Sequence, residues 1–425
     1  MIKKIIRCLK TSSEVNDWLI SENEVNTSEA FYVLQNLETT RKTNTIEYKV
    51  TIYKEFKEEN KEYLGSSSFI VSHKMTIKEI NKKIDEAIFA AKFVKNEKYE
   101  IVNKEFEKKK NFKEKPISEK PLELLDNIAF LFFKESNDVV KFNAFEAFYK
   151  ETSIHIINSK GVDLKKTLYS IMVEAIPSYN GENQKVEVYK SYNYSIYDEN
   201  KIESDAKEAV SDATSRYFAQ TINFDKKMDI ILKNNEVYEF AYNIINDYSY
   251  ATVYRGATDK KIGDEIQKNI KGDSLTIGIK ANSKANAFDN DGTICKPCTV
   301  VEDGKLVNFY GNNQYAYYLG KASTGVPSMI TLKNGKKSIL DIKKKPYIEI
   351  ISLSGIQIDM YSNYIGGEVR LANYFDGKKV TPISGFSFSG NIEECLSNLV
   401  ISKEKVVLQN YEGPKYIKLS NIEIL

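Results

Sequence analysis

The chain has 425 residues, of which 42% are hydrophobic and 28% charged, a composition that supports two or three ordinary globular cores. Its 61 basic and 59 acidic residues leave a net charge of +2, which argues against nucleic acid or an anionic membrane as the partner. The longest mid-chain apolar run, Ile128–Phe133, is too short to cross a bilayer, and the basic segment Met1–Lys10 lacks a signal-peptide core, so a cytoplasmic protein is expected.

Residues 1–36 are mixed, with a helix expected around Ser28–Gln35. Thr45–Phe56 alternates polar and apolar positions and reads as a strand; Glu62–Ser72 reads as a second, with Gly65 in or beside a turn. Thr76-Ile-Lys-Glu79 has the form of a capping box. The helix it opens places Ile77, Ile80, Ile84, Ala87, Ile88 and Ala91 on one face. Residues 1–102 thus make a first α+β unit. The Lys- and Glu-rich segment 103–121 reads as a charged linker.

Pro121–Phe133 reads as a helix, and Val139–Ile157 as a long strand turned at Asn158-Ser-Lys-Gly161. Leu168–Ile176 and Val186–Ile196 continue the sheet, and Glu203–Phe218 is a helix lined by Ala206, Ala209 and Ala213. This is a second α+β unit, 122–222. From 223 to 425 the expectation is a large, mostly antiparallel β domain. Met228–Leu232 opens it, Val237–Ile245 is a helix, and Leu275–Ile279, Ser338–Ile342, Tyr347–Leu353, Gly366–Tyr374, Val406–Gln409 and Tyr416–Ile424 are β-type runs. Within it, Ala287–Gly325 carries two turn dipeptides, Asp291-Gly292 and Asp303-Gly304, between short apolar runs.

The order "FDNDGT", "V-x-D-G-x-L-V", a Tyr/Ala/Leu-Gly helical patch and "STG" (Ser323-Thr324-Gly325) resembles the C-terminal domain of the TldD/PmbA (TldE) family. The two preceding α+β units, and Phe386-Ser-Phe-Ser-Gly390-Asn391 near the end, are similar to that family as well. The family contains zinc-dependent peptidases and their metal-free partner subunits, and carries the older name modulator of DNA gyrase. Its peptidases hold zinc on a helical His-Glu-x-x-x-His, with the glutamate as base. The matching segment here, Tyr238–Tyr248, has no histidine, and the expected cysteine ligand is missing from Gln409–Pro414. The resemblance therefore implies the metal-free, TldE/PmbA-like branch: no catalytic residues, no metal and no cofactor. It implies a homodimer, or a heterodimer with a TldD-like zinc peptidase, acting in proteolysis on an unfolded peptide. Asp289, Asp291, Gly292, Ser323, Thr324 and Gly325 are the candidate peptide- or partner-binding residues.

Other chemistry finds little support. The chain has only two histidines, His73 and His155, both read as structural. Cys295-x-x-Cys298 runs into a β segment rather than a helix, so it lacks the dipole that would activate a thiol. Cys8 and Cys395 are the other cysteines, and four in a chain this long do not suggest a disulfide framework. Asp289-Asn-Asp291-Gly292 fails calcium-loop spacing, since Ala287 and Cys298 occupy ligand slots. Ser159 and Ser323 lack a nucleophile-elbow context. The rival reading is an autonomous hydrolase that uses carboxylates such as Asp289 and Asp291 or a non-standard metal site. The purified chain is expected to carry no stoichiometric zinc. Elemental analysis after dialysis checks this, and one retained zinc per chain would contradict it.

Overall fold

The computed structural model describes residues 1–222, 224 and 227–425. The expected start of the C-terminal domain at Asn223 lies outside the described residues. The fold is mixed α+β.

The N-terminal part runs α1 (Ile2–Thr11), β1 (Asp17–Val33), β2 (Asn36–Glu58), β3 (Lys61–Val71), α2 (Ile77–Ala91), β4 (Lys110–Lys113) and α3 (Pro121–Phe133). It continues through β5 (Val140–Asn158), β6 (Asp163–Asn180), β7 (Lys185–Glu187), β8 (Lys190–Tyr194) and α4 (Glu199–Phe218). These strands form one sheet in the order β3-β2-β1-β5-β6-β4, with β7 and β8 also on β6. The two α+β units are joined because β1 pairs antiparallel with β5, from Leu19 opposite Asn158 to Val33 opposite Ala144. Helices α1 and α2 cover one end, burying Ile5, Leu9, Ile80 and Ile84 against Ile20, Val50 and Ile52. Helices α3 and α4 cover the other, where Ala206 and Ala209 let α4 approach Phe132, Phe145 and Ile171. Within 103–121, β4 lies parallel to β6, and Phe106 and Phe112 pack on the sheet.

The C-terminal part begins with β9 (Met228–Lys233), α5 (Asn235–Asn246), α6 (Tyr250–Tyr254), β10 (Ile277–Lys280), β11 (Cys298–Glu302) and β12 (Lys305–Leu306). Then come α7 (Asn313–Tyr318), β13 (Met329–Leu332), α8 (Ile339–Ile342), β14 (Tyr347–Asp359), β15 (Tyr364–Phe375), β16 (Val380–Ile383) and β17 (Phe386–Asn391). Last are α9 (Ile392–Ser397), β18 (Val400–Ile401), β19 (Lys405–Val407), β20 (Tyr411–Pro414) and β21 (Tyr416–Ile424). One sheet runs β12-β11-β10-β13-β20-β19. The other runs β14-β9-β21-β17-β15-β16 and closes on itself through β14–β15. Pairing is antiparallel except at β13–β20 and β14–β9. Helix α5 buries Val237, Phe240, Ala241, Ile244 and Ile245 in the core shared by both sheets.

Three local expectations are corrected. Ser28–Val33 is strand, not helix: β1 lies between β2 and β5, and Glu29, buried there, pairs with Arg41 on β2. Long-range pairing overrides a locally helix-compatible composition. Ile339–Ile342 is a helical turn, because Ser338 and Asp341 form a reciprocal capping box. Gly65 sits inside β3, where its missing side chain lets α2 close down. A Cβ there would lie 1.9 Å from the Ala91 carbonyl oxygen.

Gly65→Ala should therefore destabilise the fold by roughly 1–3 kcal/mol in urea melts. Thr76→Ala, which removes the observed cap of α2, should cost about 1 kcal/mol. A neutral Gly65→Ala would contradict the contact with Ala91.

Candidate functional site

The loop that follows β10 reaches across to the N-terminal sheet. Phe288 is buried among Leu19, Tyr53, Ile156, Val162 and Leu164, and Ile294 packs beside it. A bridge between Phe288 and Ile294 closes the loop. Between them, one Asp289 carboxylate oxygen accepts from the backbone N–H groups of Asp291 and Thr293, each at 3.0 Å. The other accepts from Val326 N at 3.2 Å. Asp289 is thus a turn-former whose oxygens are spent on backbone donors. Gly292 has φ +85°, and a Cβ there would lie 2.9 Å from Val162, so the turn needs glycine to dock.

The Ser323-Thr324-Gly325 turn lies on the other side of Asp289. Ser323 Oγ donates to Gly311 O at 3.0 Å and accepts from Gly325 N at 3.1 Å. Thr324 Oγ1 accepts from Gly311 N at 3.0 Å. Both hydroxyls hold an antiparallel bridge between Gly311 and Gly325, and no base stands beside either among the described residues. Gly325 has φ +68°, and a Cβ there would lie 3.3 Å from Cys295 Sγ and 3.5 Å from Asp289 Oδ2. The structure therefore brings Asp289, Asp291, Gly292, Ser323, Thr324 and Gly325 together, with the serine, the threonine and Asp289 committed to the backbone.

Between this loop and β6 lies a cavity of about 390 Å³, lined by Lys166, Asn286, Asp289, Asp291, Asn312 and Ser328 among others. Lys166 is only 6% exposed. Its ammonium donates to Asn286 Oδ1 at 2.7 Å and Phe288 O at 2.6 Å, and lies 4.6 Å from the centre of the Phe288 ring. Burial lowers its pKa, partly opposed by Cys295 and Asp289. Desolvation raises Asp289 as well, opposed by its three backbone donors. Asp291 is pushed up to about 6 by burial and by Asp289. Its carboxylate has no hydrogen-bond or ion-pair partner among the described residues. Lys166, Asn286, Asn312 and Ser328 were not singled out in the sequence. The available signal was a lysine at the phase of β6 that carries Leu164 inward.

Among the described residues nothing activates Cys295 or Cys298, both free thiols. Burial raises the Cys295 thiol to about 11 and raises Cys298 as well, the opposite of activation. His155 is buried with Nε2 2.7 Å from Asp163 and Nδ1 3.5 Å from Glu22, a satisfied structural imidazole. Ser159 Oγ donates to Asp17 at 2.6 Å and accepts from Trp18 N at 3.2 Å.

Helix α5 spans the segment where zinc ligands were sought. Its Tyr238 ring stands 6.4 Å from that of Tyr411 on β20, the region expected to supply a cysteine. Phenols and amides there are poor zinc donors, and the carboxylates Glu239 and Asp247 are joined by no histidine or cysteine in the segment. Among the described residues, no cluster of three or more His, Cys, Asp or Glu is placed to hold a metal. The donor set does not fit zinc.

Fold and site define an α+β protein with a cavity between β6 and the loop after β10. Residues 225–425 match the family model described as the PmbA/TldA metallopeptidase C-terminal domain. No curated protein matches the sequence. The chain is similar along its whole length to the crystal structure of TldE from Thermococcus kodakarensis, with TM-score 0.77, 16% identity and 99% of that chain covered. It is also similar to a candidate modulator of DNA gyrase from Thermotoga maritima, with TM-score 0.77, 15% identity and 100% of both chains covered. A third, a candidate modulator of DNA gyrase from Bacteroides thetaiotaomicron, has TM-score 0.78 and 14% identity; all of this chain and 97% of that one are covered. At these identities the likeness shows the fold. No described helix is long and apolar enough to cross a membrane.

The raised pKa of Asp291 has a stability consequence. The folded state holds this proton to a higher pH than the unfolded chain does, so stability falls as pH rises from about 4 to about 6. Above that the penalty is fully present. Asp291→Asn removes it and should stabilise the protein at pH 8 by on the order of 2 kcal/mol, with little gain near pH 4. Thermal melts across pH check this, and a gain independent of pH would contradict it.

Proposed function

We propose that the chain is a metal-free, TldE/PmbA-like subunit of the TldD/PmbA metallopeptidase family, not catalytic alone. It acts in proteolysis or peptide maturation beside a zinc-bearing TldD-like homologue, helping to enclose and present an unfolded peptide. One observation carries this reading. Helix α5 is packed in the core, yet Tyr238–Tyr248 carries no histidine, and its only zinc-ligand types are the carboxylates Glu239 and Asp247. A frame kept without its chemistry suits a wall better than an active site. The likeness to TldE over the whole chain supports the same reading. So does the loop 286–294, whose cavity holds a Cys295 thiol raised to about 11 by burial, and so not activated, and an Asp289 whose oxygens are bound by backbone. The division into 1–102, a linker 103–121, 122–222 and 223–425 belongs to this proposal, as does a cytoplasmic location.

The rival, a hydrolase working through carboxylates, has one observation in its favour: the unpaired Asp291, held at about 6. Asp289 cannot join it as a base, because its oxygens are already hydrogen-bonded by backbone.

The subunit reading needs an interface. The C-terminal sheet β12-β11-β10-β13-β20-β19 has two edges, and the β14–β15 hairpin carries Tyr361 at its tip, 91% exposed. A stable interface buries on the order of 1,200–2,000 Å². Light scattering coupled to gel filtration should give a mass twice the 48.7 kDa of the chain when it is made alone, or a heterodimer when a zinc-bearing homologue is co-expressed. A clean monomer at all concentrations, unchanged by the homologue, would overturn the proposal.

A further inference from the structure

We propose that the cavity beside Lys166 and Asp291 is a binding site for a primary ammonium group adjoining a peptide-type carbonyl, which is the free amino terminus of a peptide. The inference deepens the subunit reading and rests on its premise that this wall of the molecule meets peptide.

The lining offers two kinds of group. Asp291 presents a carboxylate with no cation, N–H or hydroxyl bound to it among the described residues. An unpaired, half-buried carboxylate is costly, and a ligand ammonium is the group that relieves that cost. Asp289 cannot serve in its place, since its oxygens hold the turn. Among the donors, Lys166 spends two N–H groups on Asn286 and Phe288 O, leaving a third uncommitted. Ser328 Oγ accepts from Asn282 N and Asn286 Nδ2, so its own proton remains free. Donors here suit a carbonyl oxygen. A volume of about 390 Å³ falls at the small end of the range for ligand sites, enough for a chain terminus rather than a folded segment. Phe288, Cys295 and Val326 complete the lining and give the ligand's uncharged part an apolar surface.

The ionisable groups facing Asp291 are Asp289 on its own loop, and Tyr53 and Tyr99 from the N-terminal part. Burial raises both phenols further, so neither supplies a charge near neutrality, and an entering ammonium meets one titrating partner.

Calorimetry on the full-length protein with trialanine amide, N-acetyl-trialanine amide and free alanine tests the proposal. Trialanine amide should bind, with acetylation weakening it at least about tenfold, the loss expected for a charge-assisted contact. Asp291→Asn should weaken it similarly. The unaltered protein should bind about tenfold more weakly near pH 5 than near pH 7.5, because a carboxylate at about 6 is mostly protonated at the lower pH. Free alanine binding as tightly as the peptide would support ammonium recognition and assign the site to amino acids. Equal binding of the acetylated peptide, binding unchanged in Asp291→Asn, or no binding of any probe would overturn it. The pH series needs no variant. Light scattering on the same samples reports association separately, so loss of the ligand and loss of the partner are distinguished.

Discussion

Lys166 ties the two halves of the chain together. It projects from β6 of the N-terminal sheet, and its ammonium binds the side chain of Asn286 and the backbone of Phe288 in the loop after β10. A buried lysine is tolerated only where such acceptors compensate for lost water. The Phe288 ring lies against the same ammonium and fills the apolar hollow formed by Ile156, Val162 and Leu164. The turn at Asp289 and Gly292, the bridge to Ser323-Thr324-Gly325 and the cavity between them all follow from that docking.

The same junction explains what kind of site the protein has. Asp289, Ser323 and Thr324 look like reactive groups in a linear sequence, but their oxygens are consumed by backbone donors and acceptors. The thiols nearby are held protonated by burial. Unspent at the cavity are the Asp291 carboxylate, one N–H of Lys166 and the Ser328 hydroxyl proton, the groups from which the proposed ligand site is argued. In the C-terminal core, α5 is packed through Val237, Phe240, Ile244 and Ile245, and its Tyr238 ring meets that of Tyr411.

The elements written in local sequence were legible. Thr76 and Glu79 cap α2 reciprocally, and the alternating residues of β2 and β5 are strands. The motif order in Ala287–Gly325 pointed to the correct C-terminal domain family. Long-range facts were hidden. Nothing in Ser28–Gln35 announces that β1 runs between β2 and β5, because the stabilising partners are supplied by residues far away in sequence. Gly65 looked like a turn residue, although its purpose is to admit the Ala91 carbonyl. Lys166 stands beside Lys165 and ahead of the expected strand Leu168–Ile176, and only the phase of β6 turns it inward. The candidate residues were found because turns are local; the cavity they enclose was not, because its other wall is β6.

The central claim is that this chain contributes a wall and a partner surface, not a metal centre. Its most direct test is the rate at which a zinc-bearing TldD-like homologue cleaves an unfolded peptide, measured with and without this chain, and with a chelator. The account predicts cleavage that rises sharply when both chains are present, that chelator abolishes, and that this chain alone never supports. Chelator-insensitive cleavage by this chain alone, or a homologue whose rate is indifferent to its presence, would contradict the account.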